Sequence, residues 1–276
     1  MSPITGGQKA TNHIHSKLIL KEIRINAFAI AGHSKKRVDS AKIELNVPWR
    51  KRWVTRRRII GESAMAAPLK VEFHFDFGSP NAYLAELALP AIEQRTGVKF
   101  EYVPVLLGGV YKATGNMSPA DSLRGIKNKP EYNALETERF RRRHNITKYK
   151  VNPYFPVNTL ALMRGVVAAQ LEGMFEPYFR AAYHHMWVEP KKMDDPAVFR
   201  EAFLSSGLDI DRVIARSQQD DVKKMLIENT NDAVARGTFG SPTFFIGGEI
   251  YFGKDSLRDV EEEIVTQLGG SQRKSA

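Results

Sequence analysis

Ser79 is the residue whose setting points most directly to chemistry. It stands between an apolar alternation (Val71, Phe73, Phe75, Phe77) and a helical recurrence at Tyr83, Leu84, Leu87, Ala88, Ala91 and Ile92. Pro80 suits the first position of a helix, where its missing N–H costs nothing, so Ser79 is the expected N-cap. A hydroxyl at the positive end of a helix is a place for an anion, and the chemistry proposed for it is the holding of a thiolate. The thiol has to come from outside, because the chain has no cysteine. That absence also excludes disulfides, thiolate metal sites and a cysteine nucleophile. The plainer reading of Ser79 is a cap whose removal costs about 1 kcal/mol. A serine nucleophile has no neighbouring base and no Gly-x-Ser-x-Gly elbow to support it.

Other stretches carry reactive or ligand-holding groups. In Gly240-Ser241-Pro242-Thr243 a proline follows a small residue at the start of a strand, which is either a cis peptide or a trans proline at a strand edge. In Gly253-Lys254-Asp255, Asp255 caps a final helix and Lys254 is solvated, unless this helix end faces Ser79. In that case Lys254 would meet a carboxylate and Asp255 an ammonium of a zwitterionic peptide. Asn116, ahead of Ser118-Pro119, is a loop or cap residue whose amide could also bind a ligand. Tyr183-His184-His185-Met186-Trp187 invites a metal reading. Adjacent imidazoles on a helix point about 100° apart, and Glu189 precedes Pro190, past the expected helix end. No metal is therefore expected. Arg139-Phe-Arg-Arg-Arg-His144 ends a helix with cations, as the dipole favours, and steering of an anionic substrate is its minor reading.

These residues must be positioned by a recognisable order of elements. Leu69–Asp76 is the first strand and Ser79–Thr96 the first helix, kinked at Pro90. Val98–Val105 is the second strand, parallel to the first through a right-handed crossover. Helical patterns follow at 118–128, 131–144, 158–172, 174–187, 195–206 and 217–236. Pro242–Ile246 and Glu249–Phe252 then flank Gly247-Gly248 as a hairpin, and a last helix runs to about Leu268 before a tail. The order fits an α/β fold, a thioredoxin-like mixed sheet with an inserted all-helical subdomain. Its expected boundaries are 69–108 with 237–268 for the sheet domain and 109–236 for the insertion, whose last helix packs on the sheet.

Charge is distributed unevenly. Residues 1–64 hold 14 Lys plus Arg against 4 Asp plus Glu, and the remainder is neutral, so the net +10 argues nothing about partners of the globular part. The basic stretch lacks the early apolar core of a secretory signal. It is read as a disordered extension or a mis-assigned start, with Met65-Ala-Ala-Pro68 as the natural beginning, in preference to a nucleic-acid-binding leader. No window approaches the roughly 20 apolar residues of a membrane span.

Together the blocks Phe75–Leu84, Pro104–Asn116, Phe155–Asn158, Phe239–Thr243 and Phe252–Asp255 resemble the 2-hydroxychromene-2-carboxylate isomerases, which are related to kappa-class glutathione transferases and more distantly to the thiol oxidant DsbA. The resemblance implies that Ser79 hydrogen-bonds the sulfur of glutathione, where DsbA-like oxidants keep the first cysteine of Cys-x-x-Cys. It implies that Asn116 and the cis pair Ser241-Pro242 also line the glutathione site. Lys254 and Asp255 would hold the γ-glutamyl end, and Lys127 is a candidate for the glycine carboxylate. The implied activity is isomerisation of 2-hydroxychromene-2-carboxylate to trans-o-hydroxybenzylidenepyruvate by reversible addition of the thiolate, with glutathione as cofactor. The helical insertion would build the pocket for this small aromatic 2-oxo acid through Tyr111, Phe155 and Trp187. A cytoplasmic homodimer is expected. A kappa-like glutathione transferase shares the same thiolate site, and a non-enzymatic thioredoxin-like module is the reading from another class.

Overall fold

In a computed structural model of the chain, which describes residues 69–272, the strand leading to Ser79 lies inside the sheet. β1 (Val71–Phe75) pairs in parallel with β2 (Glu101–Pro104) and antiparallel with β3 (Thr243–Ile246), which pairs antiparallel with β4 (Glu249–Phe252). The order is β2-β1-β3-β4. Phe73 stands opposite Tyr102 on one side and Phe244 on the other. The basic stretch 1–64 and the last four residues lie outside the described part.

The expected first helix is two helices. α1 (Pro80–Glu86) ends before α2 (Leu89–Thr96), and Pro90 sits in the first turn of α2 rather than kinking one long helix. A proline there forfeits no intrahelical bond. The helix that Ser79 caps is thus only seven residues long, so its hold on an anion rests on first-turn N–H groups more than on a long dipole.

Between β2 and β3 come α3 (Leu107–Thr114), α4 (Pro119–Ser122), α5 (Lys129–Arg143), α6 (Leu160–Leu171), α7 (Phe175–Trp187), α8 (Pro196–Ser205), α9 (Ile210–Ser217) and α10 (Asp220–Ala235). α3 and α9 have no counterpart among the helices expected from the sequence. The first is masked by Gly108-Gly109, and each is eight residues long, about two turns and too short for a clear period. The expected 118–128 helix shrinks to α4, because Gly125 and Asn128 take left-handed φ of 82° and 70°. α11 (Leu257–Gln272) runs past the expected end at Leu268 into the predicted tail. α6 and α10 both pack on β2.

Both faces of the sheet are covered, which the apolar alternation of β1 does not reveal. On one face Phe75 and Tyr102 meet Phe179 of α7, Phe75 also meets Tyr183, and Phe73 packs on Tyr102. On the other, Glu72 and His74 are as buried as the phenylalanines. Burial pushes the Glu72 carboxyl up, but bonds from Arg236, Lys70 and His74 overcome this and hold it at about 2. The Arg236 guanidinium also covers the Phe245 ring at 3.8 Å.

Candidate active site

The loop from β1 to α1 is organised by Asp76. Its buried carboxylate accepts from Gly78 N (2.8 Å), from Leu107 N at the start of α3 (2.7 Å) and from Thr159 Oγ1 at the start of α6 (3.1 Å). One side chain thus ties three segments together. Burial nevertheless outweighs these bonds and raises its pKa. The closeness of Thr159 explains Gly78, where a Cβ would come within 3.0 Å of Thr159 Cγ2.

Ser79 caps α1 with extended backbone (φ −93°, ψ 112°), its Oγ accepting from Ala82 N at 3.1 Å. The Ser79 hydroxyl donates to the carbonyl of Ser241 at 2.8 Å, and the Ser241 hydroxyl accepts from Asp76 N at 3.2 Å. The Ser241–Pro242 peptide is cis. The carbonyl of Pro242 accepts from Gly253 N at 3.0 Å, and Gly253 takes φ 89°, open only to glycine without strain. The 3₁₀ turn Lys254–Ser256 packs against α1. Residues 79, 241–242 and 253–255, remote in sequence, therefore share one end of the sheet. The helix-start hydroxyl of Ser79 thus faces a cis-proline loop.

A family model for the DsbA-like thioredoxin domain matches residues 70–265. The chain belongs to that family. A 2-hydroxychromene-2-carboxylate isomerase from Sphingobium xenophagum is 28% identical over 200 residues, covering 71% of this chain and 97% of its own. A glutathione S-transferase kappa 1 from Caenorhabditis elegans is 25% identical over 203 residues, covering 67% and 86%. Among solved structures, a 2-hydroxychromene-2-carboxylate isomerase superposes with a TM-score of 0.62 at 25% identity, over 75% of this chain and 98% of that one.

Within this DsbA-like domain the other anticipated residues fall unevenly. Asn116 follows α3 and donates from Nδ2 to the carbonyl of Phe239, at 2.8 Å, which places it beside the cis-proline loop. Lys254 is not a free surface cation. It is 4% exposed, its Nζ bonds both oxygens of Asp255 (2.7 and 2.6 Å), and it lies 5.1 Å from the Phe140 ring centroid. Asp255 remains 64% exposed in its side chain. Tyr111 lies on α3, where burial first and Asp76 second raise its phenol pKa. Phe155 is half-buried ahead of a second cis peptide, Phe155–Pro156. Trp187 does not line an open pocket. It is 1% exposed, donates from Nε1 to the carbonyl of Phe77 at 2.8 Å and packs on Tyr149. Lys127 lies exposed in the turn before α5.

Asp76 and Thr159 were not singled out by the sequence. The available signal was a carboxylate closing the alternating strand immediately before Phe77-Gly78-Ser79.

The histidine pair is joined by Glu189. α7 ends at Trp187, and the amides of Val188 and Glu189 both donate to the carbonyl of His184, at 2.9 Å each. This turn brings Glu189 Oε2 to 3.3 Å from His184 Nε2. One ligand atom each from His184, His185 and Glu189 lie within 4.8 Å of one another. Glu189, outside the helix as expected, folds back over its end to meet His184.

Proposed function

We propose that this chain is a glutathione-dependent cis–trans isomerase of 2-hydroxychromene-2-carboxylate or of a related aromatic ring-cleavage product. The observation that carries the reading is the Ser79 hydroxyl, set at the start of α1 and 2.8 Å from the carbonyl of Ser241. The curated relatives named as isomerases support the same reaction class.

Bound glutathione would supply a thiolate that adds reversibly to a conjugated 2-oxo acid and is regenerated. The chain's part is to hold that sulfur as an anion. Ser79 has one hydroxyl proton, which it donates to the neutral carbonyl of Ser241. Turning it to a thiolate exchanges a neutral bond for a charge-assisted one, roughly twice as strong. The first-turn N–H groups of α1 add to the same field.

The donor set fits the tripeptide in part. Asp255, exposed and with lone pairs to spare, suits its ammonium. Asn116 and the backbone beside Pro242 suit its amides. Lys254 suits a carboxylate only if it leaves Asp255, so we assign it to orienting Asp255. Tyr111 and Phe155 are the pocket residues that remain after Trp187 is placed in the core. Action as a cytoplasmic homodimer completes the proposal.

The relatives named kappa glutathione transferases favour a second reading, in which the conjugate is released. Incubation with glutathione and the chromene carboxylate, following product isomer and free thiol, separates the two. Isomer formed at constant thiol is expected. Thiol lost in proportion to substrate means the transferase, and no glutathione-dependent reaction rejects both.

A further inference from the structure

We propose that His184, His185 and Glu189 form a binding site for a transition-metal dication of the zinc type at the C-terminal end of α7. Three observations carry this independently of the glutathione reading.

The first is convergence. One donor atom from each residue falls within a 4.8 Å span. The His184 Nε2 to Glu189 Oε2 separation is 3.3 Å. That is roughly the edge of a tetrahedron whose metal–ligand bonds are about 2.0 Å; the wider separations in the trio close by rotation of the exposed His184 and Glu189 side chains when the ion binds.

The second is the hydrogen bonding around the buried His185 ring. The Ser206 hydroxyl lies 3.1 Å from the carbonyl of Ala202 and donates its single proton there. The same oxygen lies 3.0 Å from His185 Nε2, and with the hydroxyl proton on the Ala202 carbonyl Nε2 carries the ring hydrogen. Nδ1 is then a bare lone pair. His185 is 3% exposed, and Nδ1 has no hydrogen-bond partner. A buried acceptor without a donor is costly, and a dication supplies what the lone pair lacks. The chain Nε2–H to Ser206 to the Ala202 carbonyl is also the outer support that orients a metal-bound imidazole.

The third is the field. The site stands at the negative end of a 13-residue helix, where cations are favoured. Two imidazoles and one carboxylate select a borderline ion such as Zn²⁺ over Mg²⁺ or Ca²⁺. A water would complete the coordination, since the third side chain, Glu189, is 64% exposed.

The test is calorimetric titration of the untagged full chain with Zn²⁺ alone, beside His184→Ala and Glu189→Gln. Both side chains are at least 41% exposed, so neither variant threatens the fold. His13, His15 and His33 lie outside the described residues and offer competing nitrogens, so the assignment is read from the difference between variants. One equivalent is expected in the parent chain beyond any bound by the variants, with a Tm raised by Zn²⁺ only in the parent. Mg²⁺ in excess should not displace it, and Ser206→Ala should weaken it about 10–100-fold. Zn²⁺ binding that is identical in the parent and both variants, whether absent or present, overturns the proposal.

Discussion

Replacing Ser79 by alanine separates the two roles that its hydroxyl can have. The structural role is bounded by its contacts. Ala82 N loses the Oγ acceptor at 3.1 Å but keeps the Ser79 carbonyl, also at 3.1 Å. The Ser241 carbonyl loses its hydroxyl donor. A cap and one buried neutral bond together cost about 1–2 kcal/mol. At about 2–4 °C per kcal/mol for a domain of this size, Tm should fall by roughly 2–8 °C. The chemical role is larger. A hydrogen bond to a charged group contributes about 1.5–3 kcal/mol. Converted at about 1.4 kcal/mol per unit, its loss should raise the pKa of the bound glutathione thiol by about 1–2 units. At neutral pH this should lower turnover about 10–100-fold. The assay is thiolate absorbance against pH for glutathione bound to the parent and to the variant, with turnover measured alongside. Ser79→Cys provides an internal check, because it introduces the only cysteine of the chain. Its thiol should titrate well below the usual value of about 8.5. A bound-thiol pKa and a rate both unchanged in Ser79→Ala, with only the small loss of Tm, would refute the catalytic assignment and leave Ser79 as a cap.

Asp76→Asn presents an amide donor to Gly78 N or to the Leu107 and Thr159 donors, and should cost about 1–3 kcal/mol at neutral pH, read by denaturant unfolding. Because burial raises the Asp76 carboxyl, the parent should lose stability as pH rises through its folded-state value, a slope the variant should lack. Asp255→Asn leaves the buried Lys254 ammonium without its carboxylate, and should raise KM for glutathione more than it lowers kcat in steady-state kinetics. Gly165→Ala would place a methyl 2.0 Å from the Tyr178 hydroxyl, which donates to the carbonyl of Leu162; a loss of about 3 kcal/mol is expected from unfolding curves. Glu72, held at about 2 against an ordinary 4.5, stabilises the fold above pH 4.5, and this is lost as pH falls towards 2. Arg236→Gln should flatten that acid limb and remove about 2 kcal/mol at neutral pH, whereas an identical acid profile would show that the guanidinium is not the partner that matters.

Local signals sufficed where one residue type dictates one backbone arrangement. Pro80 and Ser79 mark the start of α1, and the apolar alternation marks β1. The short gap Gly247-Gly248 marks the hairpin between β3 and β4. These are nearest-neighbour effects of φ restriction, capping and side-chain alternation, and they are written in adjacent residues. Gly108-Gly109 hid α3 for the same reason, because glycine disfavours helix locally and tertiary contacts, packing on α10 and the bond from Leu107 N to Asp76, hold that helix in place.

Pairings across long sequence separations were decided by the fold. The bond from Ser79 to Ser241 spans 162 residues, and the bond from Thr159 to Asp76 spans 83. Nothing near Lys254 in the chain announces that Phe140 will bury it, and nothing near His184 announces that the chain reverses after Trp187 and returns Glu189 to it. Dihedral preferences and capping act over one or two turns, whereas burial of a charge and the meeting of a donor with its acceptor depend on which surfaces the core brings together. The amino-acid order therefore set the helix start and the hydroxyl that guards it, and tertiary packing chose the groups that the hydroxyl faces.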